Sequence, residues 1–146
     1  MTDTTLIGQL RPLGRRGLQT TALGMGAAGL AGLYRDVTEE DAQAALDAAW
    51  QAGMRTFDVA PYYGYTKAEH RLGRSLRVRD RDAFVLSTKA GRLMRPRAYN
   101  ASRTTPSSGG NDWVAPLPFE PHFDYTYDGI LRSFEDSQQR LGMSQI

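Results

Sequence analysis

Cysteine is absent from this chain of 146 residues, and that removes disulfides, thiolate metal sites and cysteine nucleophiles together. A chain without cysteine suits a reducing compartment, and the cytoplasm is the expected location. Histidine is almost as scarce: only His70 and His122 occur, far apart and without ligand spacing, so no metal site is expected. No apolar run approaches the length of a membrane span, and residues 1–9 lack a basic cluster followed by an apolar core, so neither a membrane anchor nor a secretory signal is expected. Lysine is rare too. Of 18 basic residues only Lys67 and Lys89 are lysines, and the arginines are spread along the chain, their densest group, Arg71 to Arg81, including Asp80. A net charge of +2 spread in this way describes a solvated surface and no nucleic-acid partner.

What is present is an ordinary globular composition, 40% hydrophobic and 23% charged, sized for one domain or part of a larger one. Leu10 to Thr21 holds two short extended pieces around Gly14-Arg15-Arg16-Gly17 and predicts a tight hairpin. Thr21 to Gly26 predicts a short buried strand that runs into a glycine-rich loop over Gly26 to Gly32. Within it, Gly24-Met25-Gly26-Ala27-Ala28-Gly29 matches the G-x-G-x-x-G dinucleotide pattern by letter. That pattern works only when its last glycine opens a helix. Here the next helix signal is Thr38, so glycines that turn a loop sharply are the better reading.

Thr38-Glu39-Glu40-Asp41 reads as an N-cap, and Ala42, Ala45, Leu46, Ala49 and Trp50 follow at helical spacing until Gly53. Met54 to Phe57 is a second strand. Thr66-Lys67-Ala68-Glu69 reads as a capping box for a helix carrying Leu72, Ser75 and Leu76 on one face, with Gly73 allowing close packing. Ala83 to Lys89 is a third strand. Strand, helix, strand in this order predicts parallel pairing through crossovers. Residues 92–125 carry prolines at 96, 106, 116, 118 and 121 plus Ser107-Ser108-Gly109-Gly110, and no regular element is expected there. Trp113, Phe119, Phe123 and Tyr125 nonetheless suggest that its second half packs. Tyr127 to Arg140 is a final helix with Ile130, Leu131, Phe134 and Leu141 on its apolar side and Gly142 as its stop. Met143 to Ile146 reads as the start of another strand.

In parallel strand–helix folds, functional residues gather where strands end, which puts Asp58 and Lys89 on one rim. A tyrosine on the loop between them would complete an acid–base set, because a cationic lysine beside a phenol favours the phenolate while Asp58 holds the lysine. Spacing leaves Tyr62 and Tyr63 as equal candidates. It also leaves the bland alternatives open: a turn cap for Asp58, packing for the tyrosine, an exposed charge for Lys89.

The run Phe57-Asp58-Val59-Ala60-Pro61-Tyr62-Tyr63-Gly64, followed by Glu69 and Leu72-Gly73, resembles the signature of the aldo-keto reductase superfamily. Leu23-Gly24-Met25-Gly26 resembles its first strand and Ser87-Thr88-Lys89 its third. Arg92 to Pro96 and Phe123 to Ser137 resemble the branch that contains aldose 1-dehydrogenases, such as L-fucose dehydrogenase, and pyridoxal 4-dehydrogenase.

The resemblance implies an α/β fold, a TIM (β/α)8 barrel present as an incomplete N-terminal portion behind a β-hairpin, with residues 1–146 part of one domain. It implies an NAD- or NADP-dependent oxidoreductase acting on a CH–OH or carbonyl group, here oxidation of a cyclic hemiacetal to a lactone. Tyr63, the residue before Gly64, becomes the general acid or base, Lys89 its partner and Asp58 the residue bonded to Lys89. Gly26, Ala27, Ala28 and Asp58 become cofactor contacts, and residues 92–125 a loop over the mouth. The family's catalytic histidine and its phosphate-binding loops would fall beyond Ile146. Two further expectations follow: a catalytically silent fragment or binding subunit as the alternative, and self-association through exposed barrel edges.

Overall fold

The structure is a computed structural model that describes residues 4–97 and 113–146. A one-turn helix, α1 (Thr4–Ile7), leads into the expected hairpin, in which β1 (Leu10–Pro12) pairs antiparallel with β2 (Gln19–Thr21). Gly14 and Gly17 supply the positive φ angles of the turn, +71° and +82°. The hairpin closes the lower end of the parallel sheet: the Thr21 amide donates to Thr56 Oγ1 at 3.0 Å, and the Arg55 amide donates to Thr21 Oγ1 at 3.1 Å.

Three parallel strands in the order β3-β4-β5 form the sheet. They are β3 (Met25–Gly26), β4 (Thr56–Asp58) and β5 (Val85–Ser87). Gly26 lies opposite Asp58 and Asp58 opposite Ser87, so one row of residues crosses the upper end of all three strands. The first strand is shorter than the sequence suggests, because Thr21 is committed to the hairpin. The glycine-rich segment after it is not a plain loop either. Ala27–Ala31 forms a 3-10 turn that buries Ala27, Leu30 and Ala31, and Gly32 ends it. Gly29 falls inside that turn and opens no α-helix, so the dinucleotide pattern has none of its required context.

Helices α2 (Glu39–Gln51) and α3 (Lys67–Leu76) cover the sheet. Thr38 caps α2 as expected, its Oγ1 accepting from the Asp41 amide at 3.0 Å. The second capping box does not form. Thr66 sits at φ +81° and makes no side-chain cap bond, and its buried Oγ1 has no hydrogen-bond partner. Leu46, Phe57, Leu72, Leu76, Phe84, Leu86 and Leu141 make up most of the core. Full burial of each large apolar side chain contributes about 1.5–3 kcal/mol. Trp50 stacks on Phe57 and meets Phe84 edge-on, while Arg55 and Arg79 lie over its ring at 3.8 and 4.1 Å.

Residues 92–125 depart from the irregular segment expected of them. Their two ends, β6 (Arg92–Pro96) and β7 (Phe119–Phe123), pair antiparallel in register from Arg92 opposite Phe123 to Pro96 opposite Phe119. A two-stranded ribbon has only edge strands, which is where proline is tolerated. Pro106 and the Ser-Gly run lie outside the described residues. The final helix, α4 (Tyr127–Leu141), starts at the Thr126 cap and stops at Gly142 in the left-handed region. Its buried face is Gly129, Ser133, Ser137 and Leu141, whereas Leu131 is exposed. Of the expected apolar side, Leu141 is buried, Ile130 and Phe134 are half-buried and only Leu131 lies outward, while small residues fill the rest of the inward face; at Gly73 of α3 an added Cβ would stand 2.5 Å from the Leu141 carbonyl oxygen. Among the described residues Met143 to Ile146 pairs with no strand, and no helix is long and apolar enough to cross a membrane.

Candidate active site

Asp58 ends β4, and both of its carboxylate oxygens are used. Oδ1 accepts from Ser87 Oγ and Oδ2 from Lys89 Nζ, each at 2.7 Å. Lys89 also donates to the Val59 carbonyl at 3.0 Å. Burial by itself would lower the lysine's pKa. The hydrogen bond and charge of Asp58, with smaller contributions from Tyr63, outweigh it and hold Lys89 above its ordinary value. Both side chains remain about half exposed, 48% for Asp58 and 50% for Lys89, so the pair faces solvent at the rim.

Tyr63 reaches this pair from the turn between β4 and α3. Backbone bonds from the Tyr63 amide to the Ala60 carbonyl, the Thr66 amide to Pro61 and the Ala68 amide to Tyr63 fold that turn back on itself. Gly64, at φ +60°, permits the turn and its close approach to Ala31, whose Cβ would lie 2.8 Å from any added side chain. The geometry also separates the two tyrosines. The Lys89 ammonium lies 5.3 Å from the Tyr63 ring centre, while Tyr62 takes the Arg92 guanidinium at 4.2 Å. Trp113 touches both rings, edge-on to Tyr62 and tilted to Tyr63.

Of the expected cofactor contacts, Gly26 stands beside Asp58 in the row with nothing within 4 Å of where a Cβ would be. Ala28 is half-buried next to it, and the Ala27 side chain points into the core, leaving its backbone alone for the rim. A side-chain-free position beside a half-exposed carboxylate suits the ribose and flat ring of a nicotinamide. Among the described residues no three His, Cys, Asp or Glu side chains could hold a metal ion.

Sequence reasoning did not find Ser87, whose hydroxyl shares Asp58 with Lys89, although it sits two residues before Lys89 and so on the same side of an extended chain. It also missed the column in which Arg92 lies between Tyr62 and Phe123, the latter stacked on Tyr125. No local signal announces that column, because the β6–β7 pairing creates it.

The sequence profile of the Aldo/keto reductase family matches residues 22–146. This chain belongs to the aldo/keto reductase family. Among its relatives it is 50% identical over 141 residues to pyridoxal 4-dehydrogenase of Microbacterium luteolum, with 93% of this chain and 40% of that protein covered. It is 44% identical over 130 residues to D-threo-aldose 1-dehydrogenase of a Pseudomonas species, covering 89% of this chain and 39% of that one. An aldo-keto reductase of Bacillus halodurans, solved in its holo form, superposes with a TM-score of 0.66 at 25% identity over 94% of this chain and 38% of that chain. The chain thus spans about two-fifths of the length of these curated relatives. As an aldo/keto reductase chain, its three parallel strands are an N-terminal portion of the family's TIM barrel.

Proposed function

We propose that this chain carries the proton-transfer side of an NAD- or NADP-dependent oxidoreductase that oxidises an aldose or pyridoxal-type cyclic hemiacetal to a lactone. The observation that carries the reading is the 2.7 Å Lys89–Asp58 pair at the strand-end rim, with Tyr63 as the tyrosine beside it. The names of the two relatives, an aldose dehydrogenase and a pyridoxal dehydrogenase, support the substrate class.

In this reading a bound nicotinamide supplies the hydride acceptor. The Tyr63 hydroxyl holds the proton at the substrate oxygen, taking it up in oxidation and returning it in reduction. Lys89, kept cationic by Asp58, favours the negative charge that develops on that oxygen. Asp58 fixes Lys89 and, with Gly26, Ala27 and Ala28, borders the ribose and ring. The cytoplasm is the location this reading assigns to the chain, whose lack of cysteine fits a reducing compartment. The open sheet favours a second reading: among the described residues β3 and β5 each have a free outer edge, so the chain is silent until further strands complete the barrel.

Titration with NADH and with NADPH, followed by nicotinamide fluorescence, separates the two. Saturable binding of either supports the first reading, and no binding at millimolar cofactor leaves only the second. In a version extended to full barrel length, Tyr63→Phe should abolish turnover while sparing cofactor binding. Retained turnover would remove Tyr63 from its role.

A further inference from the structure

Glu69 lies in the first turn of α3 with none of its surface exposed, and the proton-transfer scheme gives it no task. Its side chain turns inward instead of capping the helix. Oε2 accepts from Arg140 Nε of α4 at 2.5 Å, and Oε1 accepts from Thr88 Oγ1 at 2.8 Å. Arg140 is braced in turn by Ser137 Oγ at 3.0 Å. Burying a carboxylate is costly unless it is paired and fully hydrogen-bonded, and an apolar group of similar volume often serves stability as well. Stability alone is therefore a weak reason for this cluster.

Thr88 stands between Ser87, which donates to Asp58, and Lys89, which forms the ion pair. Side chains alternate along an extended chain, so Ser87 and Lys89 share the side of Asp58 while Thr88 points the other way, to α3. The ladder between β4 and β5 ends at Ser87 opposite Asp58. The Val59 amide still donates to the Ser87 carbonyl at 3.0 Å, and among the described residues that is the last backbone bond between the two strands. The next anchor along the chain is the Thr88–Glu69 hydrogen bond, one residue before the lysine.

We propose that Glu69, held by Arg140, is a positioning residue for Lys89: by anchoring Thr88 from the helix side it presents the ammonium to Asp58 and Tyr63. The importance of Lys89 rests on the function proposed above, but the positioning itself needs neither cofactor nor substrate.

Trace acetylation with acetic anhydride at neutral pH tests this, because only a neutral amine is acylated and the chain has just two lysines. The ratio of Lys89 to Lys67 modification, read by peptide mass spectrometry, reports on Lys89 with an internal control. Thr88→Val removes the hydroxyl, keeps the shape and leaves the Glu69–Arg140 pair in place. It should raise the ratio several-fold, and Thr88→Ser should restore it. Glu69→Gln should raise it as well where far-UV circular dichroism is unchanged; where that variant unfolds, the two Thr88 variants decide alone. An unchanged ratio in Thr88→Val overturns the proposal and reduces Glu69 to a fastening between α3 and α4. A chain that shows the rise yet binds no nicotinamide would keep the positioning and discard the function.

Discussion

The ion pair of Lys89 with Asp58 ties one residue's chemistry to the stability of the fold. Lys89 has its pKa raised in the folded chain, so the pairing contributes fully at pH below the ordinary lysine value and is lost as pH rises through the raised one. With both partners about half exposed, solvent screening holds that contribution below about 1 kcal/mol. Lys89→Met should therefore lower the thermal midpoint slightly at neutral pH, and the two midpoints should converge in strong alkali. A gap that persisted there would assign the effect to packing of the lysine stem. Asp58 and Lys89 were legible in the sequence because parallel strands deliver their last residues to one rim. Tyr62 and Tyr63 were not separable, since neighbours in a turn are told apart only by what they meet, here Arg92 and Lys89. Glu69 was misread because a capping box has the same letters whichever way its acid turns. The partner that decides, Arg140, lies 71 residues along the chain.

Between elements, the contact of α3 with α4 sets two helix effects against each other. In a free helix, replacing glycine by alanine gains about 1 kcal/mol. At Gly73 the new methyl would stand 2.5 Å from the Leu141 carbonyl oxygen, a backbone atom that moves only if α4 moves. Overpacking of this kind costs about 1–3 kcal/mol, enough to reverse the sign. Gly73→Ala should lower the urea midpoint, and a raised midpoint would mean that the helices are not so close. The same contact explains which helix features the sequence conceals. Periodicity located α2 and α4, and Thr38 and Gly142 marked their ends. The inward face of α4, however, is chosen by what it meets in the fold, α3 at Leu141 and the Asp124 side chain at Gly129, so Gly129 and Ser133 are buried while Leu131 is exposed. The β6–β7 ribbon was concealed for another reason: Pro96 and Pro121 argue against a strand in general but not against a ribbon made wholly of edges.

At the scale of the whole molecule, the order of strands and helices was readable because each crossover keeps its sheet parallel, and the family resemblance named the barrel they belong to. Neither could show how the sheet's edges are left. A cleft of about 580 Å³ runs beside β5 and is lined by Leu10, Leu18, Phe84, Leu86 and Ile146, with Leu10 and Leu18 well exposed. Unpaired strand edges next to exposed apolar side chains are templates for further pairing. We propose that this chain by itself associates through those edges, so that its sedimentation coefficient rises with concentration from micromolar upward. In a chain extended to the length of its relatives, later barrel strands would compete for the same edges, and the concentration dependence should weaken or vanish. A 146-residue chain that sediments as one monomeric species throughout that range would overturn the proposal that these edges and the apolar cleft drive association.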